Sequence, residues 1–180
     1  AQARSEAKKS FGSETILVEK YIERGRHIEV QIVADAHGNV VHLYERECTI
    51  QRRNQKIIEE APSPTLDEGL RQEICFTATR LMREIGYTTA GTVEFIFDSV
   101  TRKFYFLEVN TRLQVEHGIT ELITGVDLVG LMVDVAEGRP LPFRQEEIRP
   151  NRWALEVRLN AEDPRSFNPC ASKNILRHRG

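Results

Sequence analysis

Six polar residues in one short stretch, Glu94, Glu108, Asn110, Arg112, Gln114 and Glu116, are of types that could do chemistry together. Val93, Phe95 and Phe97 alternate with Glu94 and Ile96. Phe104, Phe106, Glu108 and Asn110 alternate with Tyr105, Leu107 and Val109, so both runs read as strands. The DSVTRK between them is short and polar, which predicts an antiparallel hairpin. Pairing about its middle sets Glu94 across from Glu108, and the strand period of two puts Asn110 on the face of Glu108. Facing carboxylates repel unless a cation lies between them, and two carboxylates with an amide oxygen are hard donors suited to magnesium. Arg112, Gln114 and Glu116 follow with an anion-binding guanidinium, an amide and a third carboxylate. The competing reading is a solvated face on which Glu94 and Glu108 never meet.

Several elements must hold this stretch in place. HIEVQIVAD and VVHLYEREC, joined by DAHGN, read as antiparallel strands, and TILVEKYI before them as a third, which favours a sheet with a wet face. TIQRRNQKIIEEAPSP reads as too polar for a central strand, and so as an ordered loop, or a strand followed by one, stopped by Pro62 and Pro64. Leu66, Leu70, Ile74, Ala78, Leu81, Met82 and Ile85 recur at helical spacing, predicting an amphipathic helix over 67–85 against the sheet. A short helix, a break at Gly125 and a second helix from Asp127 to Glu137 follow, and WALEVRLNAED reads as a further strand with Glu156 and Arg158 on one face. The opening AQARSEAKKSFG has helix-forming composition without a cap, as at a boundary within a longer chain.

The 180 residues are 40% apolar and 29% charged, and 25 basic against 27 acidic residues give a net charge of -2. Such a chain has no bulk field for nucleic acid or an anionic membrane, so neither is expected as a partner. Cys48, Cys75 and Cys170 lack disulfide or metal-ligand spacing, and no apolar run is long enough to span a bilayer. A cytoplasmic location is expected, and an organelle matrix stays open.

The segments EKYI (19–22), RHIEVQI (26–32), QRRNQK (51–56), EEAPSP (59–64), GTVEF (91–95), EVNTRLQVEH (108–117), TELITGVDL (120–128) and RLNAEDP (158–164) occur in this order. Together they resemble the biotin carboxylase family, the ATP-grasp enzymes or domains of acetyl-CoA, propionyl-CoA, pyruvate and urea carboxylases. The resemblance implies an α+β fold: an ATP-grasp-like, mainly antiparallel sheet with flanking helices, followed by the start of the family's C-terminal domain. Residues 1–149 would form a partial ATP-grasp domain and 150–180 that start, with the glycine-rich phosphate loop and two nucleotide-binding lysines upstream of residue 1. The family uses ATP and Mg2+, with Mn2+ as an alternative ion, to convert bicarbonate into carboxyphosphate and then carboxylate biotin on a carrier domain.

By the same resemblance, Glu94, Glu108 and Asn110 match the metal positions, and Lys56, Arg112, Gln114 and the Val115 backbone match the bicarbonate pocket. Glu116 matches the general base and Arg158 the residue that stabilises the biotin enolate. Glu19, Lys20 and Ile22 match the hinge that receives adenine, with His27, Gln51, Asn54 and Ile96 along the nucleotide site. Implied partners are the biotin carboxyl carrier domain and the carboxyltransferase, with homodimerisation as a family habit. The chain departs from the family at Asn54, often His, at Gly118, usually Pro, and in NPCASKN near the end. Gly118 is expected to loosen the turn that aims Glu116. The segment alone is not expected to turn over. A noncatalytic structural or partner-binding module, or another ATP-grasp ligase such as carbamoyl phosphate synthetase, are the competing functions.

Overall fold

The computed structural model describes residues 2–163. Cys170, NPCASKN and the predicted domain segment from 164 onward lie outside them. A six-stranded, wholly antiparallel sheet runs in the order β5-β4-β1-β2-β3-β6, from β1 (Gly25–Ala34), β2 (Val40–Arg52), β3 (Gln55–Ala61), β4 (Thr89–Asp98), β5 (Lys103–Asn110) and β6 (Ala154–Val157). Three helices pack on it, α2 (Glu68–Glu84), α3 (His117–Thr124) and α4 (Leu128–Ala136), while α1 (Gln2–Phe11) precedes them in the chain and buries none of its residues. This is the predicted α+β architecture.

β1 lies between β4 and β2, so both of its edges are paired, and Ile28 through Ala34 are all buried. Its Ile28, Val30 and Ile32 join Val93, Phe95 and Phe97 of β4 under Ile74, Cys75, Ala78 and Met82 of α2. Burying each large side chain contributes roughly 1.5–3 kcal/mol, which makes this layer the main apolar support of the sheet. α2 starts where the sequence places it, because the Asp67 carboxylate accepts the Leu70 N–H. On the opposite face α4, capped by Asp127, packs Leu128, Leu131 and Val135 against Val33, Val41 and Leu43. Gly125, at φ +74°, separates α3 from α4 as predicted. The rest of that second face stays open, and it carries the polar residues of β1, β2 and β4.

Three local features differ from the sequence reading. TILVEKYI forms no strand: residues 13–22 lack regular structure, and Leu17 and Val18 are 87% and 91% exposed, with no partner surface to order them. QRRNQK is not a loop but the tip of the β2–β3 hairpin. Arg53 and Asn54 take φ of 52° and 62°, the pair of left-handed residues that a two-residue turn of matching twist requires, and asparagine tolerates that region well. In β5 the register slips by one residue, since Glu94 pairs with Glu108 but Phe95 with Phe106. Strict alternation would put Phe104 and Phe106 beside Glu108; with the bulge at Leu107 both rings meet Phe95 edge-on, Phe104 packing on the core and Phe106 staying 58% exposed, while the acid turns to the open face.

Among the described residues no helix is long and apolar enough to cross a membrane. Cys48 and Cys75 are buried free thiols, their pKa values raised by burial.

His42 on β2 gives the fold a pH signature. Burial holds its imidazole down from 6.5 to about 4, and Nδ1 accepts the Tyr44 N–H at 3.3 Å. The folded state therefore binds fewer protons than the unfolded one between those values, so this contribution is present above pH 6.5 and lost as pH falls through 4. Replacement by Gln should flatten that part of the stability profile by on the order of 2–3 kcal/mol, read from urea unfolding of both proteins across the window.

Candidate active site

The bulge in β5 brings the two acids of the hairpin together. Glu94 and Glu108 are a directly opposed pair, and both accept from one amide nitrogen, Asn110 Nδ2, at 2.9 and 3.3 Å. The carbonyl end of Asn110 faces Arg112, whose guanidinium donates to it at 3.3 Å. Two carboxylates and an amide able to present oxygen are the donor chemistry that magnesium takes, and here both carboxylates contact the same amide nitrogen.

Beneath this pair lies a buried charge cluster centred on Lys56, which enters from β3. Its ammonium donates to Glu29, to Glu94 at 3.0 Å and to Glu116 at 2.6 Å, gathering carboxylates from β1, β4 and the turn before α3. Burial depresses the Lys56 pKa, but Glu29 and Glu116 outweigh it and the net shift is upward. Burial likewise pushes Glu94 up, yet His27 and Lys56 reverse that and hold the carboxyl at about 2. Glu29, fully buried, is also held below the ordinary carboxylate range, because Arg46 and Lys56 overcome its desolvation. His27 Nε2 lies 2.8 Å from Glu94, an ion-pair approach off the axis of a ring N–H bond. Gln51 donates to His27 Nδ1 at 3.2 Å, which leaves the ring proton on the nitrogen facing Glu94.

Glu116 accepts from Arg158 on its second oxygen at 2.8 Å, and Arg158 is tied in turn to the buried Glu59 at 2.7 Å. Arg158 therefore pairs with Glu59 and Glu116 rather than with Glu156 alone on its own strand. The turn that aims Glu116 is closed by His117, whose N–H donates to the Gln114 carbonyl at 3.3 Å. Gly118 lies within the first turn of α3 and uses no left-handed backbone.

Thirteen predicted site residues line one cleft of about 760 Å³. Glu94, Glu108, Asn110 and Arg112 form one side; Lys56, Gln114, Val115, Glu116 and Arg158 the floor and far wall; His27, Gln51, Asn54 and Ile96 the end toward the β2–β3 turn. The structure does not bring Glu19, Lys20 and Ile22 to it. The first two are exposed on the irregular segment before β1, and Ile22 packs near Gly25. A smaller cavity of about 450 Å³ beside Tyr44 and Trp153 shares no residue with the cleft.

Sequence reasoning missed Glu29, Gln31, Arg46 and Glu59. Arg46 is fully buried and donates to Glu29 at 2.6 Å, Gln31 at 2.7 Å, Thr120 at 2.8 Å, Gln114 at 3.1 Å and Thr92 at 3.4 Å. The available signal was in RHIEVQI: Glu29 and Gln31 interleave with isoleucine and valine, and in a central strand such polar residues need buried partners.

Residues 1–144 match the family described as the carbamoyl-phosphate synthase L chain, ATP binding domain. The chain is 53% identical over 178 residues to the propionyl-CoA carboxylase alpha chain of Ruegeria pomeroyi, covering 98% of this chain and 26% of that one. It is 56% identical over 159 residues to biotin carboxylase 2 of Bacillus subtilis, covering 88% and 36%. The biotin carboxylase domain dimer of Hydrogenobacter thermophilus 2-oxoglutarate carboxylase, solved with MgADP, ADP and bicarbonate, superposes with a TM-score of 0.85 at 50% identity, covering 93% of this chain and 37% of that one. The chain thus spans from about a quarter to just over a third of the length of these proteins.

Removing Lys56 as Lys56→Met should leave three carboxylates without their shared cation and cost about 3–5 kcal/mol at neutral pH, measured by urea unfolding. The loss should shrink as pH falls, because the abandoned carboxylates then take up protons. A Cβ at Gly118 meets only Glu156 Oε2, at an ordinary 3.9 Å. Gly118→Ala should therefore raise stability by about 0.5–1 kcal/mol, seen as a higher melting temperature.

Proposed function

The chain belongs to the family of the carbamoyl-phosphate synthase L chain, ATP binding domain, and within it to the biotin carboxylases; on that premise we propose that its cleft holds MgATP and bicarbonate for the carboxylation of carrier-bound biotin through carboxyphosphate. One observation carries the reading: Glu94 and Glu108 oppose each other across β4 and β5 on the open face, and the Asn110 amide that bridges them adjoins Arg112.

In this reading Glu94, Glu108 and Asn110 hold Mg2+, or Mn2+ in its place. A bound ion supplies neutralisation of phosphate charge and polarisation of the phosphoryl group. Arg112 presents a planar fork to bicarbonate, which suits a flat oxyanion better than a point charge would. Lys56, the free N–H of the Gln114 amide and the Val115 backbone complete that pocket. Glu116 takes the bicarbonate proton. Each of its oxygens already accepts from a cation, so the proton must come to a lone pair that Lys56 and Arg158 leave unused. Arg158 offsets negative charge on the ureido oxygen of biotin. His27, Gln51, Asn54 and Ile96 flank the nucleotide; Glu19, Lys20 and Ile22, which do not line the cleft here, would serve as its adenine hinge only if the irregular segment before β1 folds onto it. The carrier domain, the carboxyltransferase, homodimer formation and a division of domains at 149/150 belong to the same proposal.

Glu108, exposed on β5, is the clean probe of the metal, since its replacement disturbs little of the fold. Calorimetric titration with ADP should show magnesium-dependent binding weakened about tenfold or more in Glu108→Gln. In the full-length protein, Glu116→Gln should lose bicarbonate-dependent ATP cleavage by about a hundredfold or more while nucleotide affinity stays within about twofold. Heat of binding that ignores magnesium, or a fully active Glu116→Gln protein, would show that the reading is wrong.

A further inference from the structure

We propose that Arg46 is a positioning residue for the oxyanion pocket, fixing the Gln114 amide with an N–H turned to the cleft and keeping Lys56 shared among Glu29, Glu94 and Glu116. The inference rests on the reading of the cleft given above, because Gln114 and Lys56 are pocket residues there. Arg46 itself is fully buried and lines no part of the cleft, so it acts only through its neighbours.

Two linkages carry the effect. The first is the orientation of an amide. Gln114 Oε1 accepts from Arg46 at 3.1 Å while its Nε2 donates to Glu94 at 2.9 Å. Turning the amide over would set its NH2 against the guanidinium and its oxygen against the carboxylate, two repulsive contacts in place of two bonds. The orientation is therefore held from both ends, and the second hydrogen on Nε2 is the part of Gln114 left for a ligand. A donor there attracts an oxyanion; a carbonyl oxygen would repel it.

The second linkage is the partition of a cation. Glu29 gives one oxygen to Arg46 and the other to Lys56. With the guanidinium gone, Glu29 would keep a full charge and one orphaned oxygen, and would draw the ammonium away from Glu94 and Glu116. The guanidinium is pinned by Gln31, Thr92 and Thr120 from three different elements, so it can hold both linkages at fixed positions.

The test uses the full-length protein. Arg46→Lys keeps the charge and loses the fork: KM for bicarbonate should rise about tenfold or more, kcat should fall less than about threefold, and MgADP affinity by calorimetry should stay within about twofold. Thr120→Val, which removes one anchor without changing charge, should shift bicarbonate in the same direction by a smaller factor and guards against a misfolded lysine variant. In a Gln114→Met background the Arg46→Lys effect on bicarbonate should be clearly reduced, since the amide linkage is already lost and only the partition of Lys56 through Glu29 remains. Nucleotide and bicarbonate affinities that fall together, full additivity with Gln114→Met, or no bicarbonate shift in either single variant would overturn the role of Arg46. A wild-type protein without bicarbonate-dependent ATP cleavage would overturn the functional reading and this inference with it, whereas an active wild type with insensitive variants would overturn this inference alone.

Discussion

A single ammonium group shared by three buried carboxylates is the constraint on which the open face of the sheet depends. Glu29, Glu94 and Glu116 come from β1, β4 and the turn before α3, and their like charges would repel one another without a cation set between all three. Lys56 provides it from the β2–β3 hairpin. The position of that hairpin is therefore as much an electrostatic matter as a packing one, and the left-handed turn at Arg53 and Asn54 is what returns the chain so that Lys56 points back across the sheet. Around this centre Arg46 and Arg158 add further positive charge, and it is His27 together with Lys56 that keeps burial from neutralising Glu94.

The bulge at Leu107 solves a geometric problem that the same constraint creates. A regular β5 would show its phenylalanines and Glu108 on one face, forcing either apolar rings into the cleft or an acid into the core under α2. One extra residue resets the alternation between Phe106 and Glu108. The strand then serves the core with its first half and the cleft with its second. The cost is a locally interrupted ladder near the edge of the sheet, where a missing bond weighs least because water can satisfy the exposed groups.

The sequence made the hairpin, α2, α3 and α4 legible because each carries its own signal: alternation for the strands, spacing and an aspartate cap for the helices, a glycine between α3 and α4. It also made Glu94, Glu108 and Asn110 legible, since their pairing follows from the length of the connection. The bulge was hidden because period-two patterning counts residues and cannot see a register slip. TILVEKYI misled for a related reason: its alternation reports a surface fit for pairing, not the presence of a partner strand. Arg46 was missed because the alternation in RHIEVQI signals that Glu29 needs a buried partner but not which one; Glu29 lies directly opposite Arg46 only once the two strands are in register.

The two central cations are of different types, and the division follows from what surrounds them. Arg46 sits in a dry interior amid acceptors spread over β1, β4, α3 and the loop before it, and a planar fork with donors in fixed directions can satisfy all of them at once. A lysine there would reach at most three, leaving buried polar oxygens unpaired at about 1–3 kcal/mol each. Lys56 lies at the cleft wall with its three acceptors converging on one point, which suits a compact ammonium with three donors. A guanidinium in that place would be too broad to touch Glu29, Glu94 and Glu116 through one nitrogen and would push the carboxylates apart. The distribution of arginine and lysine thus separates a buried floor, where direction matters, from a charge at the cleft wall, where convergence does.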